Sequence, residues 1–339
     1  MPLKLTIAFS NNWLVQPLKD GKVKPDGIDL RFITMDSGTL FYRNLKFNEF
    51  DISEMGIPWT LRILDLRRED RWDWVKLPVF LSRGTGWANL YVNNASGIHR
   101  LADLKGKRVC VPEYNMSICM WLRVMLKEFH GISPREIIWY NGRRKNEQQA
   151  GVLGIEEDKP ADIRLGRLPP TQTPDEMLER GELDAAVIME DSSAGSIDRY
   201  ANKSRLNSPK IRKLFPDGGM ALIKEFYERS RAFQLNHHVI LQRRLAESHP
   251  WIVEALLDAF ENSKQAAYRE MLSNEIGAKD SSPESLALER SLFGLDPYPL
   301  GISAMRRSFD RYVQAMLEGN VIRRRFTMEE VYHPATHAT

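Results

Sequence analysis

The stretch "DLKGKRVCVPEYNMSICMWLRVMLKEF", Asp103 to Phe129, decides the fold class of this 339-residue chain. A polar turn leads into the apolar run "KRVCVP", which reads as a buried strand closed by Pro112. After it, Ile118, Trp121, Leu122, Met125, Leu126 and Phe129 recur at helical spacing and give one apolar face. Between strand and helix lies "EYNMS", Glu113 to Ser117, carrying a carboxylate, a phenol, an amide and a hydroxyl. Ser117 or Asn115 is the expected N-cap, leaving first-turn N–H groups aimed at an anion. In open α/β sheets, ligands sit beyond the carboxyl ends of the strands, where this pentapeptide falls.

Outward from this stretch the pattern repeats. "LKLTIAF", "FDISEM", "WVKLPVFLS", "ANLYVN", "EIIWYN" and "LDAAVIMED" read as strands. "GTLFYRNLKF", "PWTLRILDLRR" and "TPDEMLERG" read as the helices between them, and Gly142 to Pro174 as a polar connection. Alternating units of this kind imply a mainly parallel sheet covered by helices. Past Glu190 the chain is expected to be irregular over 191–235, with "SPKIRKLFPDGG" an ordered loop. "HHVILQRRL" then reads as a strand, and the remainder as helices. The layout predicts lobe I over 1–94, an inserted lobe II over 95–190, and a return to lobe I over 191–339. A ligand cleft is expected between the lobes.

Composition narrows the functional classes. Lys+Arg number 48 against 45 Asp+Glu, a formal charge of +3, too small and dispersed for a nucleic-acid binder. No apolar run is long enough to span a bilayer, and the N-terminal "MPLKLTIAFSNNW" does not read as a signal peptide. With Cys110 and Cys119 offering no disulfide or metal spacing, a cytoplasmic location is expected. The sequence contains neither G-x-x-x-x-G-K-[ST] nor G-x-G-x-x-G.

Six segments taken in order, "FDISEM", "PVFLSR", "DLKGKRVCVPEYNMSICMWLR", "GELDAAVI", "KLFPD" and "HPWIVEALLDAFENSK", resemble the 4,5-dihydroxyphthalate decarboxylase-like family. That family is in turn similar to the type II periplasmic-binding proteins, and the resemblance runs from about residue 4 to about residue 332. "DLKGKRV" is shared by many transporter-binding proteins, whereas "VPEYNMS" followed by W-L-R marks the decarboxylase branch. The resemblance implies an α/β, two-lobed type II periplasmic-binding-protein-like fold. It also implies non-oxidative decarboxylation of a hydroxylated aromatic acid, with no cofactor assigned. The chain departs from the family pattern at Gly84–Trp87, at Gln234–His238 and at "DPYPLGIS". These positions are expected to line the cleft, which leaves the substrate open.

Decarboxylation of such an acid needs a proton donor at the ring carbon and donors for a remaining carboxylate. His237, which aligns with the family's histidine, is the expected proton donor, with Glu113 as a second acid or base. Glu113 reads equally as half of a fixed ion pair, and His237 as a hinge histidine. Neighbouring strand residues face opposite ways, so only one of His237 and His238 can face the cleft, and His238 is read as structural or exposed. Substrate contacts are expected from Ser53 and Glu54, from Ser82, and from Arg83 as a bidentate carboxylate clamp. Tyr114, Asn115, Ser117, Asn141 and Arg143 are the second-lobe candidates, with Glu190 and Asp191 as weaker ones. No metal ligands are assigned; a carboxylate–histidine set assembled across the cleft is the alternative. The competing functional readings are a non-catalytic solute-binding protein for a small organic anion and a lyase acting on another small acid. The expected partner is a small aromatic carboxylate, not a membrane. A homo-oligomer through the helical C-terminus stands beside packing of those helices within the chain.

Overall fold

A computed structural model of the chain describes residues 1–155, 159, 162–190, 196–199, 203–273 and 282–339. Its strands are β1 (Leu3–Phe9), β2 (Ile28–Thr34), β3 (Ile52–Gly56), β4 (Trp74–Leu77), β5 (Leu90–Asn93) and β6 (Arg108–Val111). They continue with β7 (Ile138–Asn141), β8 (Arg164–Arg167), β9 (Ala185–Val187), β10 (Ile211–Lys213) and β11 (His237–Gln242). The helices are α1 (Gln16–Lys19), α2 (Ser37–Phe47), α3 (Ile57–Asp65), α4 (Ser117–His130), α5 (Gln149–Val152) and α6 (Pro174–Glu179). Then come α7 (Met220–Ser230), α8 (Arg243–Ser248), α9 (Ile252–Leu272), α10 (Pro283–Phe293), α11 (Ile302–Glu318) and α12 (Met328–Val331).

Two sheets form, one ordered β2-β1-β3-β11-β4 and the other β10-β5-β9-β6-β7-β8. Within the first, β1 runs parallel to β2 and β3, while β11 runs against β3 and β4. Within the second, β9, β6, β7 and β8 are parallel and β5 runs against β9. Each strand that first enters a sheet after the chain crosses between lobes, β5 or β11, is therefore antiparallel to its neighbour. The crossing segments pair with each other: Arg83 and Leu235 form an isolated bridge, and the Gly84 N–H donates to the Gln234 carbonyl at 2.6 Å.

The crossings do not fall where the sequence suggested. β5 and β10 both belong to the second sheet, so the chain leaves lobe I between 77 and 90, not at 94, and returns between 213 and 237, not at 191. Residues 191–235 hold β10 and α7, and the polar stretch 142–174 holds α5 and β8. The sequence reading passed over β2, β8 and β10 for a shared physical reason. Each lies at a sheet edge, and "RLGR" in β8 alternates exposed and half-buried residues instead of forming an apolar run. β2, "IDLRFIT", is likewise only partly buried.

Four apolar clusters make up the core. One face of the first sheet packs on α1, α8 and α9, and the other packs Phe41 of α2 and Trp59 of α3 with Ala150 and Leu153 of the second lobe. The largest cluster joins Trp121 and Leu122 of α4 to Phe309 and Val313 of α11 and to Ile57 and Leu61 of α3. The C-terminal helices thus do not simply return to lobe I, as the sequence implied. α9 covers lobe I, while α11 lies on α4 of lobe II. Among the described residues, no helix is long and apolar enough to cross a membrane.

Candidate functional site

The carboxyl end of β3 and the first residue of β11 meet because β11 pairs antiparallel to β3, with His237 opposite Gly56 and Val239 opposite Glu54. Side chains two apart on a strand share a face, so His237 and Glu54 lie diagonally on one face. Their side chains join through His237 Nδ1 and Glu54 Oε2 at 2.9 Å. Glu54 is 2% exposed and His237 12%, so the pair is buried at its carboxylate and open at its ring. The Ser10 N–H, from the loop after β1, donates to Glu54 Oε1. The Phe41 ring meets the imidazole edge-on, 4.7 Å between centroids.

Burial alone would push the Glu54 carboxyl up. The hydrogen bond and charge of His237, with the Ser10 contacts, outweigh it and hold the carboxyl below its ordinary 4.5. An ionised carboxylate on Nδ1 keeps a proton there and leaves Nε2 as the working nitrogen. No hydrogen bond occupies Nε2 among the described residues. Val79, Leu81, Ser82, Phe9 and Asn12 close a cavity of about 10 Å³ over the dyad, room for about one water.

A string of polar groups leads from the dyad to the second lobe. Asn236 donates through Nδ2 to Ser82 Oγ at 3.0 Å. Its carbonyl accepts from Ser117 Oγ at 3.1 Å, and Ser117 Oγ also lies 2.8 Å from the Tyr312 hydroxyl. Ser117 is the first residue of α4, whose N-cap is Met116, with no side chain capping the helix. The expected cap by Ser117 or Asn115 is thus not made. Ser117 is drawn instead to the crossing segment, leaving the start of α4 without a side-chain acceptor beside His237's neighbour. Asn115 is half-buried.

The other expected site residues are placed elsewhere. Ser53 alternates away from Glu54 and donates to the Glu54 carbonyl at 2.6 Å. Glu113 is not at the dyad. Its carboxylate accepts from Arg143 Nη1 at 2.9 Å and from the N–H groups of Gln149 and Ala150 at 3.0 and 2.6 Å. Arg143 also donates through Nε to Asp198 at 2.7 Å, and all three side chains are at most 4% exposed. Burial pushes the Glu113 carboxyl up against the pull of Arg143 and the two amides. Burial also opposes the charge on Arg143, but Asp198 and Glu113 outweigh it and raise that pKa above its ordinary value. Here the fixed-ion-pair reading of Glu113 describes its surroundings. The cluster ties the lobes together: the Gln149 amide donates to the Gly38 carbonyl in α2 at 2.8 Å, and a Cβ on Gly38 would lie 2.7 Å from Asp198 Oδ2.

Arg83, expected as a carboxylate clamp, is placed away from the dyad. Its guanidinium stacks over Phe233, Phe293 and Tyr298 at 4.3, 4.4 and 4.7 Å, and it donates to the Pro297 carbonyl. Two of the segments expected to depart from the family pattern touch each other where the chain crosses between lobes. Trp87 Nε1 donates to Gln234 at 3.0 Å, and a Cβ on Gly84 would lie 2.3 Å from Trp121. Asn236 and His237 of those segments belong to the dyad and its polar string, and His238 lines the cavity beside them. Tyr114 and Asn141 hold each other, the Tyr114 N–H donating to Asn141 Oδ1 at 2.8 Å. His238 is buried between Thr60 (2.9 Å) and Tyr332 (3.1 Å), and burial pushes its pKa well below the usual range. Glu190 accepts from Tyr91 and Lys213, and Asp191 lies outside the described residues. No group of three or more His, Cys, Asp or Glu side chains gathers at one point among the described residues.

Asn236 fell within a segment expected to line the cleft, whereas Ser10, Asn12 and Tyr312 were not singled out in the sequence. The run Ser10-Asn11-Asn12 directly follows a strand, and that position alone marks it as cleft-facing.

Comparison with known proteins follows this geometry. No protein-family model matches the chain. It is 30% identical to a 4,5-dihydroxyphthalate decarboxylase of Comamonas testosteroni over 338 residues, covering 98% of this chain and 97% of the relative. The chain belongs to the 4,5-dihydroxyphthalate decarboxylase family. A protein of the same name from Pseudomonas putida is 34% identical over 186 residues, 55% of this chain and 70% of that one. Among solved structures, the periplasmic aliphatic sulphonate binding protein SsuA of Escherichia coli superposes with a TM-score of 0.55 at 14% identity, covering both chains fully. The alkanesulfonate-binding protein SsuA of Xanthomonas axonopodis pv. citri gives 0.51 at 14% identity, covering 98% of each. These structures establish for the family member a type II periplasmic-binding-protein-like fold.

Proposed function

We propose that the chain is a non-oxidative carboxy-lyase acting on a hydroxylated aromatic dicarboxylate of the 4,5-dihydroxyphthalate type, with His237 as its proton donor. One observation carries the assignment of the site: a histidine clamped at Nδ1 by a buried, ionised Glu54, with Nε2 left open where the lobes meet. Full-length similarity to a named decarboxylase supports the reaction class.

The chemistry follows from the substrate. A ring hydroxyl para to the carboxylate feeds electron density to the carbon that bears it. The His237 imidazolium transfers its Nε2 proton to that carbon. The bond to the carboxylate then breaks, carbon dioxide leaves, and the electron pair returns to the ring. One proton is consumed, and solvent restores it to the imidazole. The product is the dihydroxylated monocarboxylate. Glu54 stabilises the imidazolium and fixes its orientation without itself exchanging the proton. The uncapped start of α4, with Ser117, receives the carboxylate that remains, and Ser82 and Asn236 provide hydroxyl and amide contacts. The cavity over the dyad is far smaller than the roughly 300–1,000 Å³ of a ligand pocket, so substrate entry requires the elements around it to separate. Their closure then strips water from the departing carboxylate. The cytoplasmic location expected from the sequence suits this role.

The test is carbon dioxide release from 4,5-dihydroxyphthalate by the purified chain and by His237→Gln. Release by the first and its loss in the second, with binding retained, is the expected result. Tight binding without any release would make the chain a binding protein and overturn the proposal.

A further inference from the structure

The polar string between the dyad and α4 has a direction, fixed by which atoms can donate. The Asn236 carbonyl can only accept, so the one proton of the Ser117 hydroxyl goes to it, at 3.1 Å. The Tyr312 hydroxyl, 2.8 Å from Ser117 Oγ, must then be the donor of the second bond. Tyr312 is fully buried, and burial pushes its pKa up, so the phenol keeps the proton it donates. Its ring stands edge-on to Trp121 of α4, 5.7 Å between centroids.

The two bonds differ in length and in what they join. A separation of 2.8 Å is ordinary for a hydroxyl donor and an oxygen acceptor, whereas 3.1 Å lies beyond the usual range. The short bond joins α11 to α4, which pack on each other in the largest apolar cluster. The long bond joins α4 to the segment that crosses back to lobe I and becomes β11. The Asn236 carbonyl also accepts from the Ile57 N–H at 3.2 Å, so it keeps a partner if Ser117 turns away.

We propose that Tyr312 is a positioning residue for the carboxylate that stays on the ring. By holding Ser117 Oγ through one lone pair, it leaves the hydroxyl proton free to swing from the Asn236 carbonyl to that carboxylate. The inference rests on the carboxylate position given above, at the start of α4. A carboxylate is a stronger acceptor than a peptide carbonyl, so the exchange is favourable. A neutral oxygen on the ring offers no such gain over Asn236. The device thus selects a dicarboxylate over a monocarboxylate of the same ring.

Phthalate is the probe, because it carries both carboxylates but no ring hydroxyl to drive carbon dioxide loss. Calorimetric titration of the full chain reads its Kd in the wild type, Tyr312→Phe, Ser117→Ala and the double variant. Tyr312→Phe removes one oxygen and keeps the ring that packs on Trp121. Phthalate binding is expected to weaken about three- to tenfold in Tyr312→Phe and at least as much in Ser117→Ala. The double variant should bind no more weakly than Ser117→Ala alone, and in turnover of 4,5-dihydroxyphthalate the Tyr312→Phe loss should fall on KM. If Tyr312 only supported the fold, its removal would weaken binding by the same factor with or without Ser117. That result, or an unchanged Kd in Tyr312→Phe, would overturn the proposal while leaving carbon dioxide release intact. Coupled Kd values without carbon dioxide release would instead uphold the positioning role and sink the decarboxylase reading. A wild type that does not bind phthalate would overturn the carboxylate position and this inference together.

Discussion

Glu54→Gln isolates the electrostatic part of the dyad from its shape. In the wild type, Oε1 accepts from the Ser10 N–H and Oε2 meets His237 Nδ1 at 2.9 Å. A glutamine keeps its carbonyl on Ser10 and turns its NH₂ group toward Nδ1. That nitrogen must then accept, so the neutral ring carries its proton on Nε2 and the imidazolium loses its counter-charge. A hydrogen bond to a charged group is worth about 1.5–3 kcal/mol, and each 1.36 kcal/mol on a barrier is tenfold in rate. The expected loss in kcat is therefore roughly 10- to 150-fold, with KM changed little, because the proposed substrate contacts are Ser82, Ser117 and the start of α4. Steady-state decarboxylation at a fixed pH reads both parameters. Stability gives an independent check of sign. The Glu54 pKa is depressed on folding, so its contribution is present above the ordinary 4.5 and is lost as pH falls through the lower folded value. The difference between wild type and variant should accordingly shrink below pH 4.5. A variant with unchanged kcat, or one whose whole loss sits in KM, would refute the role given to His237 and Glu54.

Glu113→Ala strips one of two anions from buried Arg143, and a drop of about 3–5 kcal/mol in unfolding free energy is expected from denaturant titration. Any soluble fraction should keep most of its kcat, unlike Glu54→Gln. Gly38→Ala puts a Cβ 2.7 Å from Asp198 Oδ2 and 2.9 Å from Arg143 Nη2. Both side chains are fixed in a buried ion pair through their other atoms, so the cost should be about 1–3 kcal/mol, read as a lowered thermal midpoint. Lys76→Met should stabilise the protein at neutral pH. Burial, and then the charge of Arg243, push this 4%-exposed amine from 10.5 down to about 8. The unfolded chain binds more protons between those values, so the penalty is full below pH 8 and fades toward pH 10.5. Removing the amine gains on the order of 3 kcal/mol at pH 7, and melting curves at pH 7 and pH 10 should show the gain shrinking.

The fold was legible wherever burial was two-sided. "KRVCVP", "LKLTIAF" and "HHVILQ" are central strands, and their apolar runs cannot be read otherwise. Edge strands β2, β8 and β10 were illegible because a strand with one free edge has no need of an unbroken apolar run. The lobe boundaries were misplaced for a related reason. Which sheet a strand joins is set by its partner, and nothing within "ANLYVN" says that its partner is β9. The site was half legible. His237 could be picked from strand alternation and from a resemblance, but its coupling to Glu54 depends on a register of two residues between strands 183 positions apart. Glu113 and Arg83 show the opposite case. Each sits in sequence where a ligand group belongs, and each is occupied by partners that only packing reveals: Asp198 beside Arg143, and three aromatic rings around Arg83.

What distinguishes this chain from a scaffold that merely retains an anion is therefore small and local. Binding needs donors at the junction of the lobes, and in the proposed site the uncapped start of α4 with Ser117, Ser82 and Asn236 would supply them. Decarboxylation needs in addition a proton that can be delivered to carbon and a reason for the carboxylate to leave. Both come from where β11 begins. Its first residue stands at the crossing between lobes, so an imidazole there is reachable from the cleft, while the adjacent β3 lies deep enough to bury the anion that charges it. The same crossing is where closure, as proposed, would remove water. Of the positions expected to depart from the family pattern, Gly84, Trp87, Gln234 and Tyr298 lie on the crossing segments or around Arg83, whereas His237 forms the pair with Glu54. A change of substrate would then act through the shape of the closed cleft and not through the proton donor. That argues for testing substrates by varying ring substituents while holding constant the hydroxyl para to the departing carboxylate.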